Sequence, residues 1–266
     1  MMKKIKRILF YLSKLDYKEF IFLIKVKLFK IKSDKFYIYE RLLLNKNGLE
    51  IGGPSNMFAS NNFLPIYNVI DELDGVNFSS ETLWEKNLSN GKNYKFSAHK
   101  QNGMQFICDA VDLNIINSNT YDFVLSCNNL EHIANPIKAL KEWLRVLKYK
   151  GIIILILPNN TINFDHKRNI TSLDHIINDF NNKVGEDDMN HISEILELHD
   201  LNWDPELESY EYFAQRCRNN FDNRGMHHHV YDLNLLDDIF KFLKLETIFK
   251  HSTVFDHFII GRKNFK

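Results

Sequence analysis

Short apolar runs that end in glycine or polar residues recur along the chain, and they predict the strands of a buried sheet. These runs are residues 49–51, 75–79, 106–110, 121–126 and 152–157. Residues 136–147 instead carry apolar side chains at a helical period, and Gly151 is expected to end that helix. The run at residues 152–157 is apolar throughout, which suits a strand covered on both faces. The pattern therefore predicts an α/β fold.

The C-terminal part is predicted to be a helix followed by two strands. Residues 233–243 show a helical apolar pattern, and residues 245–249 and 257–260 read as strands joined by a turn near Phe255. Residues 161–226 separate this part from the fifth strand and are interpreted as an insertion that forms a substrate lobe. The predicted organisation is thus a basic helical segment (1–40), a core (41–160), the insertion (161–226) and the end of the core sheet (227–266).

The first strand runs into a glycine turn, Glu50-Ile51-Gly52-Gly53-Pro54. Glycine allows a tight turn and a close approach of the backbone to a ligand, because there is no Cβ to clash. Glu50 is placed so that its carboxylate could reach over the turn. A turn of this kind occurs in many folds, so its meaning depends on the motifs that follow.

Those motifs come in a fixed order: E-x-G-G, D-A, Y-D-F-V-L-S, L-E-H and G-I-I-I-L-I-L-P-N. Over residues 45–160, and more loosely over the last forty, the chain resembles the class I S-adenosylmethionine-dependent methyltransferases. The resemblance implies a Rossmann-like, doubly wound sheet of about seven strands with an antiparallel last strand. It also implies S-adenosylmethionine as the cofactor.

The same resemblance implies a set of cofactor-binding residues along the edge of that sheet. They are Glu50, Gly52, Gly53, Pro54, Asn77, Asp109, Ala110 and Asn128. Asp109 is expected to accept a hydrogen bond from the adenine amine. The family usually has an acidic ribose-binding residue where this chain has Asn77, and Asp74 is an alternative for that contact.

Two histidine motifs bear on the reaction. Glu131-His132 follows the fourth strand, and His227-His228-His229 precedes the last helix. This combination is similar to metal-dependent O-methyltransferases that carry E-x-x-E-H, although Asn128 replaces the first glutamate. The similarity implies Glu131, His132, His227 and His229 as ligands of Mn²⁺, Mg²⁺ or Fe²⁺, which would acidify a substrate hydroxyl.

A mechanism without a metal requires a general base near neutral pKa. The candidate catalytic residues are His132, His166 and His228. His175, His191 and His199 lie in the insertion, where a single histidine is more often a surface or hydrogen-bonded residue than a ligand.

Charge and cysteine content narrow the class of protein. Lys+Arg and Asp+Glu both number 34, and residues 184–215 carry ten acids and no Lys or Arg, so nucleic acid is not an expected partner. Residues 1–35 carry eleven Lys/Arg and three acids, which suits either peripheral membrane contact or helices capping the site. Lysines interrupt its apolar runs, so neither a signal peptide nor a transmembrane segment is expected. Three cysteines without metal or redox spacing are consistent with the cytoplasm.

The sequence therefore leads to the hypothesis of a cytoplasmic O-methyltransferase. Through its resemblance to capsule and surface-glycan cluster enzymes, the expected acceptor is a sugar, sugar nucleotide or glycan intermediate. Two alternatives remain: a metal-independent N- or O-methyltransferase of another small molecule, and a non-catalytic partner in glycan assembly.

Overall fold

The computed structural model describes residues 15–29, 31–204, 207 and 209–266, so residues 1–14 of the predicted basic segment lie outside it. Eight strands form a single sheet in the described chain. In chain order they are β1 (Asn47–Ile51), β2 (Glu72–Asn77), β3 (Gly91–Tyr94), β4 (Gly103–Ile107), β5 (Tyr121–Cys127), β6 (Leu147–Pro158), β7 (Leu245–Ser252) and β8 (Asp256–Lys263). The described α-helices are α1 (Tyr17–Phe29), α2 (Phe36–Leu43), α3 (Pro136–Val146), α4 (Leu173–Asn181), α5 (Ile192–Leu198), α6 (Tyr210–Arg218), α7 (Asn220–Asn223) and α8 (Leu233–Phe242).

The strand order is β3-β4-β2-β1-β5-β6-β8-β7, which confirms the predicted Rossmann-like arrangement. β4, β2, β1, β5 and β6 pair in parallel, whereas β8 pairs antiparallel with both β6 and β7. The predicted count of about seven strands omitted β3, a short edge strand that pairs antiparallel with β4. Its Gly-Lys-Asn-Tyr sequence is mostly polar, because an edge strand is exposed, and it therefore gives no hydrophobic signal.

Two element boundaries differ from the sequence prediction. β4 ends at Ile107, so Asp109 and Ala110 lie beyond the sheet edge. The helix α3 ends at Val146, and Gly151 lies inside β6 rather than ending the helix. Leu147 already pairs with Tyr121 of β5, and Lys263 Nζ donates to the Leu147 carbonyl oxygen at 2.8 Å. These contacts end the helix at Val146, five residues before the glycine.

The sheet is covered on both faces, as the apolar run in β6 predicted. One face packs against α3, α4 and α8 through a cluster that includes Trp143, Leu140 and Phe240. The other packs against α2 and the two short 3₁₀ turns at Asn56–Phe58 and Ile66–Asn68. With both faces buried, the carboxyl edge of the parallel strands is left for ligand binding.

The segment predicted as an insertion contains four of the described helices, α4 to α7. A small apolar cluster joins α5, α6 and the segment before α8, and it includes Ile195, Phe213 and Met226. Acidic residues of the insertion pair with nearby cations: Glu194 with Arg168, Asp200 with Lys167, and Glu186 with Arg224.

The helix α1 lies against the core, because the ring of Phe22 is 5.8 Å from Phe63 and 6.4 Å from Phe255. This packing favours a capping role for residues 15–29. None of the described helices combines the length and apolarity needed to cross a membrane.

Candidate active site

A cavity of about 660 Å³ opens at the carboxyl edge of the parallel strands, within the size range of small-molecule sites. Loops after β1, β2, β4 and β5 form its floor, and residues from the insertion form part of its wall. Six of the predicted cofactor residues line it: Gly52, Pro54, Asn77, Asp109, Ala110 and Asn128. Glu50 and Gly53 do not.

Glu50 instead lies beneath the glycine turn and holds it in shape. Its carboxylate is fully buried and accepts hydrogen bonds from the hydroxyls of Tyr67 and Tyr94, both at 2.7 Å, and from the Ser55 amide at 3.0 Å. Burial raises the pKa of Glu50, and these hydrogen bonds oppose that rise. Glu50 was predicted to contact the cofactor, but in the structure its carboxylate supports the glycine turn.

Both glycines of this turn are required sterically. Gly52 has a φ of 77°, a backbone conformation that L side chains rarely adopt. A Cβ on Gly53 would lie 2.3 Å from both the Glu50 carboxyl carbon and the Tyr94 hydroxyl. The turn can therefore form only with small residues at these two positions.

The predicted ribose and adenine residues, Asn77, Asp109 and Ala110, also line the cavity. Asn77 is buried, and its Nδ2 donates to the Gly53 carbonyl oxygen at 3.0 Å, which ties the end of β2 to the glycine turn. The alternative ribose residue, Asp74, lies away from the cavity, because it accepts hydrogen bonds from Tyr121 Oη and the Met104 amide. Asn77 is therefore the residue of β2 that is available to a cofactor.

Asp109 faces the cavity and is one-third exposed. Its Oδ2 lies 3.2 Å from a guanidinium nitrogen of Arg224, and another nitrogen of that group lies 2.9 Å from Glu186. The Arg224 guanidinium also lies 5.3 Å from the centre of the Phe78 ring. Neither Arg224 nor Glu186 was predicted to line the cavity, because both come from the insertion and match none of the methyltransferase motifs.

The inner end of the cavity is formed by His132. Its Nδ1 lies 3.3 Å from the Met226 carbonyl oxygen, which favours a proton on that nitrogen and leaves Nε2 as an acceptor. The ring of Trp84 lies 5.0 Å from the imidazole. Burial, together with the neighbouring His227, lowers the pKa of His132 well below its usual value, so the imidazole is neutral at physiological pH.

His227 lies behind His132, with their ring centres 4.5 Å apart and their planes nearly perpendicular. Its Nδ1 is 2.6 Å from Asp165 Oδ2, and Asp165 Oδ1 is 3.1 Å from a guanidinium nitrogen of Arg168. Burial alone would lower the pKa of His227, but the Asp165 carboxylate, with a smaller effect from Glu131, raises it. Burial alone would raise the pKa of Asp165, but its contacts with His227 and Arg168 lower that pKa to about 2.

Glu131 completes this group. Potential ligand atoms of Glu131, His132 and His227 lie within 4.8 Å of one another. The Oε2 atom of Glu131 is buried and has no hydrogen-bond partner among the described residues. Burial raises the pKa of Glu131 to about 7, despite the opposing effect of His227. A hydroxyl group or a cation could satisfy this carboxylate.

The other predicted residues lie elsewhere. His166 Nε2 is 3.1 Å from Asp200 Oδ2, and its ring stacks on Trp203 at 4.4 Å, away from the cavity lining. His228 is buried, with its Nε2 3.1 Å from Asn220 Nδ2. His229 does not join Glu131, His132 and His227 but belongs to a separate group with His175, Asp179 and His191. The predicted four-ligand site is therefore divided.

This division depends on the irregular backbone of the segment and on its long-range contacts. In a regular strand, alternate residues such as His227 and His229 would point to the same face. His227 and His229 flank His228 in a segment without regular secondary structure, and their side chains reach different neighbours. Only the contacts of the insertion decide which neighbour each histidine meets.

Comparisons with known proteins agree with the fold. Residues 63–155 match a family profile described as a methyltransferase domain. The structure of the trans-methyltransferase CalH in complex with SAH has a TM-score of 0.50 at 12% identity, over 86% of this chain and 54% of that chain. A protein of Pyrococcus horikoshii has a TM-score of 0.49 at 15% identity, over 93% and 92% of the two chains. A S-adenosylmethionine-dependent methyltransferase of Methanosarcina mazei has a TM-score of 0.46 at 13% identity, over 86% and 98%.

No protein with a curated description matches the sequence significantly. At such low identities the structural likeness concerns the fold alone, so the family profile carries the assignment of activity. The profile match at residues 63–155, the sheet order and the cavity at its carboxyl edge together support a class I, S-adenosylmethionine-dependent methyltransferase.

Proposed function

We propose that this methyltransferase is an O-methyltransferase whose acceptor hydroxyl binds among Glu131, His132 and His227. The observation that carries the proposal is the buried Asp165–His227 pair, 2.6 Å apart, directly behind the imidazole that ends the cavity. A hydroxyl needs help to lose its proton, and a histidine held by a carboxylate is a common general base. A neutral amine acceptor, by contrast, is nucleophilic without such a base.

The residues of the cavity fit S-adenosylmethionine. The glycine turn offers backbone without side chains, and Asp109 presents a partly exposed carboxylate at the sheet edge. Gly52, Pro54 and Asn128 would hold the amino-acid end, Asn77 a ribose hydroxyl, and Asp109 with Ala110 the adenine. When bound, the cofactor supplies an electrophilic methyl group on a sulfonium centre.

The protein residues then have distinct tasks. Asp165, fixed by Arg168, keeps the Nδ1 proton of His227 in place and leaves Nε2 as the basic atom. His132, neutral and lining the cavity, orients the hydroxyl. Transfer of the hydroxyl proton to His227 Nε2 forms an imidazolium that Asp165 stabilises.

A metal-assisted reaction is the second candidate, because Glu131, His132 and His227 converge within 4.8 Å. These residues supply one carboxylate and two imidazoles, a ligand set that suits Mn²⁺ or Fe²⁺. In this case the three residues would hold the ion, and the ion would lower the pKa of the hydroxyl. Without His229, this site would have three protein ligands.

For the acceptor we propose a sugar or sugar nucleotide of surface-polysaccharide synthesis. Trp84 supports this choice: its side chain is 56% exposed at the cavity, next to His132. A tryptophan face suits the apolar face of a sugar ring, while Asn128, Asn129 and Glu85 offer partners for its hydroxyls. A non-catalytic role in glycan assembly would leave the Asp165–His227 pair without a purpose.

The test is methyl transfer from labelled S-adenosylmethionine to a panel of sugar nucleotides, with and without chelator. We expect turnover by the wild type, and losses of at least about 100-fold in His227→Ala and His132→Ala with unchanged affinity for S-adenosylhomocysteine. Activity that survives chelation supports the base, and activity restored by Mn²⁺ supports the metal. Normal turnover in His227→Ala would refute its role as the base, and normal turnover in His132→Ala would refute its role in orienting the hydroxyl. Either result would also refute the metal site. His166→Ala is the matched control that should remain active.

A further inference from the structure

A second group of potential ligands lies outside the cavity, where the insertion meets the last part of the core. It consists of His175, Asp179, His191 and His229, whose ligand atoms all lie within 4.8 Å of one another. His175 and Asp179 are four residues apart on α4, so they share one face of that helix. His191 precedes α5, and His229 lies before α8.

Three of the six separations between the donor atoms are close to those around a tetrahedral ion. His175 Nε2 lies 3.1 Å from His191 Nε2 and 3.3 Å from Asp179 Oδ2, and Asp179 Oδ2 lies 3.6 Å from His229 Nε2. Four donors at about 2.1 Å from one Zn²⁺ ion would lie about 3.4 Å from one another. Three imidazoles and one carboxylate, from three segments of the chain, thus lie close enough together to surround one ion.

Burial adds an independent observation. The Asp179 Oδ2 atom is buried and accepts no hydrogen bond from the described residues, although His175 Nε2 and His229 Nε2 lie 3.3 Å and 3.6 Å away. A buried carboxylate oxygen without such a partner is costly, and an ion would remove that cost. His229 is also buried, whereas the side chain of His175 is 42% exposed and leaves the group accessible from solvent.

One contact must change when an ion binds. His229 Nε2 lies 3.3 Å from the Ala134 carbonyl oxygen, to which it can donate a hydrogen bond. A metal ligand has no proton on the coordinating nitrogen, so binding through Nε2 would require the neutral tautomer whose single ring proton is on Nδ1. That nitrogen is buried and has no hydrogen-bond partner among the described residues.

We propose that His175, Asp179, His191 and His229 form a structural site for a divalent transition metal of the zinc class. Four protein ligands would close the coordination sphere, as in structural rather than catalytic zinc sites. The ion would join α4, the start of α5 and the segment 227–231. Because His229 is two residues from His227, the site would also fix the segment that carries the proposed base. It goes beyond the proposed function and does not depend on it.

The experiment uses the full-length protein, stripped with chelator and titrated with Zn²⁺ or Co²⁺ alone. We expect one ion per chain, an increase in Tm with Zn²⁺, and the intense visible absorption of tetrahedral Co²⁺. His175→Ala and His191→Ala should lose the Co²⁺ band and the Zn²⁺-dependent rise in Tm. His99→Ala, an exposed histidine outside both groups, is the control that should keep them.

Glu131→Gln separates this site from the one near the cavity. A wild-type Co²⁺ signal that survives in Glu131→Gln but is lost in His191→Ala supports the proposal. Absence of Zn²⁺ binding, a weak octahedral Co²⁺ spectrum in the wild type, or an ion lost only in Glu131→Gln would overturn it. The wild-type spectrum decides the question even if a ligand variant fails to fold.

Discussion

Asp165 Oδ2 lies 2.6 Å from Nδ1 of His227, and both side chains are largely buried. The two residues stand 62 positions apart, Asp165 near the start of the insertion and His227 directly after its end. The insertion therefore does more than cover the cavity, because its return to the core brings the carboxylate to the histidine. His227 in turn packs against His132, which lines the cavity.

Asp165→Asn should shift the acidic limb of the pH–rate profile to lower pH. The Asp165 carboxylate raises the pKa of His227 against the effect of burial, so removing its charge lets that pKa fall. His227 then stays deprotonated at lower pH, but it becomes a weaker base, and we expect kcat to fall by about 10–100-fold.

Initial rates of methyl transfer between about pH 5 and 9 would measure this shift. Asp200→Asn is the matched control, because Asp200 pairs with His166 instead. If the acidic limb of the pH–rate profile moves in Asp200→Asn but not in Asp165→Asn, the base is His166 rather than His227.

Gly53→Ala should weaken cofactor binding and lower stability. The added methyl group would lie 2.3 Å from the Glu50 carboxyl carbon and the Tyr94 hydroxyl, so the hydrogen bonds that support the turn must rearrange. We expect a loss of about 1–3 kcal/mol in the free energy of unfolding. Chemical denaturation and calorimetry with S-adenosylhomocysteine would measure both effects.

The control for that change is Gly185→Ala. Its Cβ would lie 2.7 Å from Asp187 Oδ1, the end of an exposed side chain that can move. Its effect should stay within about 0.5 kcal/mol. Equal effects of the two substitutions would contradict a special role for the Glu50 network.

Trp84→Ala should raise the KM for the acceptor by about 10-fold, since an aromatic platform typically contributes about 1–1.5 kcal/mol. Trp84→Phe should retain most of the affinity, because a smaller aromatic face remains. Steady-state kinetics with the acceptor identified from the panel would test this. Trp203→Ala removes a tryptophan that stacks on His166, and it should leave the KM unchanged. An unchanged KM in Trp84→Ala would exclude the platform.

Lys263→Met should destabilise the fold. The ammonium group of Lys263 donates to the carbonyl oxygens of Leu144 and Leu147, both at 2.8 Å, and the residue is 4% exposed. Removing it leaves those buried acceptors unsatisfied, which costs about 1–3 kcal/mol. Thermal and urea unfolding would measure the loss. Lys266→Met changes an exposed neighbour and should alter the free energy of unfolding by less than about 0.5 kcal/mol. Equal losses in the two variants would contradict a stabilising role for the Lys263 hydrogen bonds.

The sequence predicted the core of the fold because local patterns carry that information. Apolar runs ending in polar residues predicted β1, β5 and β6, and the order of motifs indicated the parallel sheet and the cavity-lining residues Asn77, Asp109 and Asn128. Hydrophobic burial depends on periodicity along the chain, so it can be read without a partner. The edge strand β3 was missed because it is exposed.

The tertiary structure alone decided the assignment of the polar side chains. From the sequence, Glu131, His132, His227 and His229 formed one set, and His175 and His191 were each expected to be surface or hydrogen-bonded residues rather than ligands. In the fold, His227 pairs with Asp165 while His229 meets His175, Asp179 and His191. Which polar groups meet depends on how the insertion returns to the sheet, a long-range arrangement that leaves no periodic pattern. Hydrophobic periodicity therefore determined the framework, and long-range packing determined the chemistry placed on it.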